Sequence, residues 1–373
     1  MFDNVNRILC KPISFFSIII ISVLILILAS NYSVYAEVLE YNGSQTLYPD
    51  HYGRQSFFSR NDLVDNIVTV RANLESAYGG LARLTTNGNR TVKDNKLTIT
   101  NLATVDFDAS GGHIYISSSG GMSEATTTGN VLKIETNSTV SGNATGGHVT
   151  LNCGSYTGNC GRAIASDNDV YVESTTLGTV KTYGGYVKIQ GAGSSEISHN
   201  TVTFTNVTSS GYVYAAYSDI TLNGDVIAER NELNFVNSTN TGSSYGEDLH
   251  GAYVHIIEDG NITINNNILK VEQNSTINLS VYAADTLLEG SGNIEASSNI
   301  IYIMNSTVSD AVQAALANIN EDGAANANDN QVILENATVG GSLTVGEATV
   351  DEDGNVEALR NIITSSGTNT VIY

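Results

Sequence analysis

The chain has 373 residues with 38 acidic against 16 basic side chains, a formal charge of −22. Phosphate binding needs clustered Lys and Arg, so this scattered basic content argues against nucleic acid and for a soluble, self-repelling acidic surface. Thirty-five glycines, two prolines and no tryptophan, with abundant Asn, Ser, Thr and Val, suit short strands joined by tight turns rather than long amphipathic helices.

Residues 1–36 read as a secretory signal peptide. Arg7 and Lys11 make a basic start, Phe15 to Leu28 is almost wholly apolar, and Val34-Tyr35-Ala36 places small residues at the cleavage positions. A retained anchor is the rival, against which the apolar run falls short of the ~20 residues of a full span. Cys10 precedes that run, the wrong place for a lipid-anchored cysteine. From 37 to 65 no repeat is visible and aromatic residues gather (Tyr41, Tyr48, Tyr52, Phe57, Phe58). Such a leading segment is expected to cap the apolar end of a solenoid.

Residues 66–373 are repetitive. Gly224 to Phe235, GDVIAERNELNF, follows a frame of glycine, two alternating apolar positions, asparagine, and two more alternating apolar positions. The same frame fits Gly193 to Phe204, Gly260 to Val271, Gly292 to Ile303 and Gly323 to Leu334. Its register is set by Asn66, Asn95, Asn130, Asn168, Asn200, Asn231, Asn267, Asn299, Asn330 and Asn361, at intervals close to 31 residues with a few insertions. A small polar turn and a third apolar alternation follow, as in GGHIYI from Gly111, GGYVKI from Gly184, GYVYA from Gly211 and AYVHI from Ala252. The inward column of that third strand is read as Ile114, Val149, Val187, Val213, Val254, Val281, Val312 and Leu343.

Three short strands per repeat cannot bury an apolar face alone, but stacked coils can. A β-propeller would need four strands over ~40 residues per blade, so the period favours an all-β, parallel β-helix solenoid. Nine coil steps span about 43 Å at ~4.8 Å per step. The anchor asparagines are expected to adopt the left-handed backbone of a sharp turn and to bond amide to amide between coils, a structural ladder rather than a catalytic series. Cys153 and Cys160, in CGSYTGNC, are expected to pair in an oxidising compartment and to staple one local loop. No second Cys/His pair stands nearby at metal-ligand spacing.

The export signal, the repeat pattern, clearest between Asn200 and Asn231, and the few close-set cysteines resemble the passenger region of bacterial autotransporters, surface β-helix proteins of Gram-negative bacteria. The likeness covers residues 66–373. It implies a right-handed coil, in line with the general crossover preference, and display at the cell surface or outer membrane, or secretion, as an adhesin-like or structural passenger. Its expected partners are a host or bacterial surface glycan or protein and an outer-membrane translocator. No barrel-like series follows the repeats, so a truncated product retained in the periplasm is a further expectation.

Residues between the inward positions of the third strand form a candidate aromatic stripe: Tyr115, Tyr186, Tyr212, Tyr214, Tyr253 and Tyr282, with His113, His148, Lys188 and His255 beside them. Tyrosines offer flat, amphipathic contact area for a glycan or a protein loop. The plainer account is that stacked aromatics simply stabilise the sheet. His113 and His148, without a carboxylate in the motif, make a weak metal site, and Asp351-Glu352-Asp353-Gly354-Asn355 lacks the spacing of a calcium loop. A polysaccharide-degrading β-helix enzyme is the catalytic rival. It needs facing carboxylates, whereas the acidic residues read mainly as turn positions, so neither catalysis nor a cofactor is expected.

Overall fold

The computed structural model describes residues 62–372, apart from 72, 118–120, 155–157, 179 and 243–247, together with the backbone of two earlier strands, Val38–Tyr41 and Ser56–Phe57. All of these belong to one unit, Ala36–Tyr373. The signal segment and most of the segment read as a cap lie outside the described residues. Among the described residues no helix is long and apolar enough to cross a membrane.

The described residues form an all-β parallel solenoid of about nine turns. One coil shows the plan: Gly224–Glu229, then Glu232–Val236, a short Thr239–Asn240, and the longer Leu249–Ile256. Each element pairs in parallel with its counterpart in the next coil, for example Gly224 with Gly260, Leu233 with Leu269 and Val213 with Leu249. Three sheets of ten or eleven strands result, with a shorter six-stranded ladder at one corner. The step between successive anchors varies from 29 to 38, with 31 the most frequent value. Val38–Tyr41 pairs with Ile67–Val70 and Ser56–Phe57 with Ala82–Arg83, so parts of the leading segment continue the same sheets.

Alternation accounts for the strands. In Glu232–Val236 and its neighbours every second residue points inward, and Val202, Phe204, Leu233, Phe235, Leu269 and Val271 are fully buried. The interior has two apolar lobes. One is filled by the second sheet, the corner ladder and the leading half of the long strands, through residues such as Val213, Leu249 and Val281. The other is filled by the first sheet and the trailing half of the long strands, through Val226, Ile262, Val254 and Ile256.

The anchor asparagines run between the lobes, and Asn66 through Asn330 have no solvent exposure. From Asn95 onward each Oδ1 accepts from both the backbone N–H and the Nδ2 of the anchor one coil earlier, while that of Asn66, first in the series, has no hydrogen-bond partner among the described residues. For Asn231 these are Asn200 N at 3.1 Å and Asn200 Nδ2 at 2.9 Å. The Asn231 Nδ2 in turn donates to Asn267 Oδ1 at 2.9 Å and to the Ile197 carbonyl at 3.0 Å. The series continues through Asn95, Asn130, Asn168, Asn299 and Asn330 to Asn361. An amide is the one side chain that supplies both an acceptor and two donors without charge, as a closed interior requires.

The left-handed backbone, however, is not at the anchors. It falls on the residue before each: His199 (φ 56°), Arg230 (φ 56°), Asn266 (φ 58°), Ser298 (φ 58°) and Asp329 (φ 57°). That neighbour makes the corner and faces out, which leaves the anchor extended and able to aim its amide along the stack. A second corner uses Asn206, Asn237, Asn305 and Asn336 in the same conformation.

Across from each anchor the long strand carries two successive small residues. A Cβ at Gly147 would lie 2.4 Å from Asn168 Cγ, and one at Gly112 2.5 Å from Asn130 Cγ. Later coils place Ala216, Ala252, Ala284 and Ala315 in the same register. Anchor and small pair meet at a waist that separates the two lobes.

Candidate functional site

The small pair determines the outer face of the third sheet. Both of its residues are buried, as in the burial pattern of Val213–Ile220, so the in-out alternation slips by one place there. Tyr214 faces out just before the pair and Tyr217 just after it. Two outward columns therefore run along the stack. The first contains Tyr78, Ser110, Thr145, Tyr183, Tyr214, His250 and Tyr282. The second contains Leu81, His113, His148, Tyr186, Tyr217, Tyr253 and Asp285.

The sequence-derived stripe combined members of both. Tyr186 and Tyr253 stand in the second column, Tyr214 and Tyr282 in the first, and Tyr115 in a third, beside Thr150, with the Arg83 guanidinium 5.2 Å from its ring centre. Tyr212 precedes its strand, where the Lys181 ammonium lies 5.0 Å from its ring centre. The residue in register with Tyr186 is Tyr217, five places further on. Likewise the inward column divides. Val213, Val281 and Val312 belong before the small pair, with Ala109 and Ala144, whereas Ile114, Val149, Val187 and Val254 come after it.

Within a column the rings stack: Tyr183 on Tyr214 at 5.3 Å and 8°, Tyr214 on His250 at 4.9 Å and 10°, His250 on Tyr282 at 5.0 Å and 10°. In the second column His113 stacks on His148 at 4.0 Å, Tyr186 on Tyr217 at 5.1 Å and 2°, and Tyr217 on Tyr253 at 5.4 Å. Between columns the contacts are edge to face, including Tyr183–Tyr186 at 73° and Tyr214–Tyr217 at 78°. Both arrangements suit the ring quadrupole, and each pair is worth ~0.5–1.5 kcal/mol beyond its buried area. Sheet stabilisation is thus one role of this face. Tyr183, Tyr214 and His250 are buried in it, while Tyr186, Tyr217, Tyr253 and Tyr282 are half-buried.

Burial, seconded by Asp219, pushes the Tyr186 phenol up to about 12. Burial, with Asp285, Asp219 and Glu289, does the same to Tyr253. Burial lowers His113 to about 4 and His250 to about 3, and lowers His148 well below the ordinary imidazole range. At neutral pH the rings of the double column are therefore uncharged.

Charge collects at its trailing border. Lys188 Nζ lies 3.3 Å from Asp219, and His255 bridges Asp219 at 3.4 Å and Glu289 at 2.9 Å. The hydrogen bond to Asp219 raises the His255 pKa, aided by Glu289 against the effect of burial. Asp285, in the second column, lies 3.5 Å from His250 Nδ1, an atom with no hydrogen-bond partner. Burial and the charge of Asp248 push Asp285 up to about 7, so its protonated form can donate to that imidazole. Asp219 and Asp285 were hidden from the sequence reading because they occupy strand positions, not turns.

The Cys153 and Cys160 sulfurs are bonded, beside the second lobe. Among the described residues no group of three or more His, Cys, Asp or Glu side chains could hold a metal ion. A trough of about 920 Å³ runs along the first sheet over Gly193, Gly224, Gly260 and Gly292. A Cβ at Gly224 would sit 2.3 Å from the Gly193 carbonyl oxygen, so coil-to-coil packing accounts for that glycine.

The fold defines a class, parallel β-solenoids with an asparagine ladder. Compared with protein-family models, characterised proteins and solved structures, the chain finds no match.

Proposed function

We propose that this chain is an exported, surface-displayed solenoid of the autotransporter-passenger kind, coiled right-handedly, whose aromatic face contacts a glycan or protein on a host or bacterial surface without catalysis. The observation that carries the reading is the double column itself: half-buried Tyr186, Tyr217, Tyr253 and Tyr282 present adjoining rings, on a rigid sheet, between buried partners. Flat aromatic area held in place loses little entropy on binding. Export through the outer membrane would use a separate or appended translocator.

The test is adhesion of cells carrying the full chain, with surface exposure checked by external protease. Tyr186→Ser/Tyr217→Ser/Tyr253→Ser should abolish adhesion, compared at a temperature where its surface level and protease pattern match those of the parent, because loss of the stacked rings also lowers stability. Undiminished adhesion by that variant removes the face from the function. The enzymatic alternative draws on the placement of Asp285, a carboxyl set among the rings 3.5 Å from His250 Nδ1, which burial pushes up to about 7. Release of reducing ends from polysaccharide by the purified chain, lost in Asp285→Asn, would establish it instead.

A further inference from the structure

The first aromatic column has a gap. Tyr183, Tyr214, His250 and Tyr282 stack continuously, but in the two coils before Tyr183 the same position is held by Thr145 and Ser110. One face of Tyr183 is covered by Tyr214, and on the other side stands Thr145, whose side chain is too small to stack; both residues are buried, so the space between them is narrow and largely enclosed. At this point lies a cavity of about 170 Å³ lined by Asn143, Thr145, His148, Lys181, Tyr183 and Tyr186.

The walls have distinct chemistry. Tyr183 and Tyr186 meet at 73° and present a face and an edge. His148, kept neutral by desolvation, engages Thr150 Oγ1 at 2.9 Å and forms a further wall beside Tyr186. Lys181 stands at the rim in register with Asn143, and its ammonium lies over Tyr212. Among the described residues no carboxylate forms an ion pair with it. Asp108, the nearby acid, accepts both the backbone N–H and the Nδ2 of Asn143 through Oδ1, at 3.1 and 3.0 Å, and so is engaged one coil away.

From this geometry we infer that the gap is a subsite for an acidic pyranose, a sugar ring carrying a carboxylate, which fills the cavity over Thr145 beside the ring of Tyr183 and places its carboxylate at Lys181. A pyranose ring has the thickness and the polarised C–H face to take the place that an aromatic ring fills in the next coils, and aromatic platforms favour such contacts. Thr145 and Asn143 supply hydroxyl and amide groups for ring hydroxyls. The overall negative charge does not forbid an anion here, because exposed charges beyond ~8 Å are largely screened at physiological salt. This inference rests on the proposed binding role of the aromatic face and names its ligand class.

The experiment uses the full chain, titrated with glucuronate, its methyl ester and 3-phenylpropionate by calorimetry and saturation-transfer NMR. Glucuronate should bind at least about fivefold more tightly than the ester, a difference of ~1 kcal/mol. Lys181→Gln should bring the two to equal affinity, and Thr145→Tyr, which completes the column, should abolish binding while the circular dichroism stays native. Because Lys181 is exposed, its variant retains the fold and keeps the test decisive even if Thr145→Tyr misfolds. Equal affinities in the parent chain, or full binding by a folded Thr145→Tyr, would overturn the assignment. Tighter binding of 3-phenylpropionate would overturn it in favour of an aromatic peptide group. If no sugar acid binds, yet the triple tyrosine variant still loses adhesion, the subsite is wrong and the wider reading stands.

Discussion

Replacing Asn231 with alanine tests the asparagine ladder where it is fully enclosed. The side chain has no exposure, so water cannot replace what it provides. The change leaves the backbone N–H of Asn200 without its acceptor (3.1 Å), removes one of two acceptors from Asn200 Nδ2 (2.9 Å), and deprives the Ile197 carbonyl of a donor (3.0 Å). Asn267 Oδ1 keeps its bond from the Asn231 backbone. Two losses at donors and one at an acceptor, at ~1–3 kcal/mol per buried group, predict a total cost of about 3–9 kcal/mol. The control is Asn293→Ala, which breaks a chemically identical amide pair, Asn293 Nδ2 to Asn261 Oδ1 at 2.9 Å, on the exposed side of the first sheet. Water satisfies those groups after the change, so its cost should stay below about 1 kcal/mol. Urea unfolding followed by circular dichroism measures both. A loss under 1 kcal/mol for Asn231→Ala, or equal losses for the two variants, would refute the claim that enclosure gives the ladder its weight.

Gly147→Ala drives a Cβ to 2.4 Å from Asn168 Cγ and should cost roughly 1–3 kcal/mol by overpacking. Gly178→Ala, which meets nothing within 4 Å, should be near neutral by thermal melting. Tyr217→Ala strips stacked contacts with Tyr186 and Tyr253 and an edge contact with Tyr214, for a predicted loss of roughly 2–3 kcal/mol in urea unfolding. The pH response has opposing parts. His113, depressed to about 4 by burial, contributes stability that is full above its unfolded value near 6.5 and lost as pH falls toward 4. His255, raised mainly by Asp219, contributes stability that is full below 6.5 and lost as pH rises through its folded value. His113→Phe should therefore gain on the parent chain between pH 6.5 and 4, and His255→Gln should lose to it below pH 6.5 but match it at pH 9. Melting temperatures across that range would show either sign reversed.

The repeat was legible because its carriers have no freedom. An enclosed anchor must be an amide, and the positions flanking it must be apolar, so Asn200, Asn231 and Asn267 mark the same point in successive coils whatever the turns do. The backbone at the corner was less legible. Arg230, Asp329, Ser298 and His199 share one conformation but no chemistry, since each pays for a left-handed turn and points its side chain into solvent. The aromatic face was read one small pair out of step. Aligning Gly211-Tyr212-Val213 with Gly185-Tyr186-Val187 matches letters, yet the structure aligns Ala216 with Gly185. A better signal was present: the second small residue always stands four places before the final inward position, as Gly112 does to Ile116, Gly185 to Ile189, Ala216 to Ile220 and Ala252 to Ile256.

The misalignment still put Val213 inside, and the reason ties the fold to its candidate site. A shift of five places along an unbroken strand would turn every side chain over, but here it crosses the small pair, where two successive residues face inward and parity is restored. That pair is small because the anchor amide occupies the waist opposite. The same slip brings two outward positions, three residues apart, onto neighbouring tracks close enough for edge-to-face contact, as Tyr214 and Tyr217 show at 5.2 Å. A single alternating strand would hold one such track on each side of a buried residue. The ladder in the interior thus sets the spacing of the aromatic lattice outside, and a place in that lattice left without a ring, as at Thr145, becomes a ring-sized cavity.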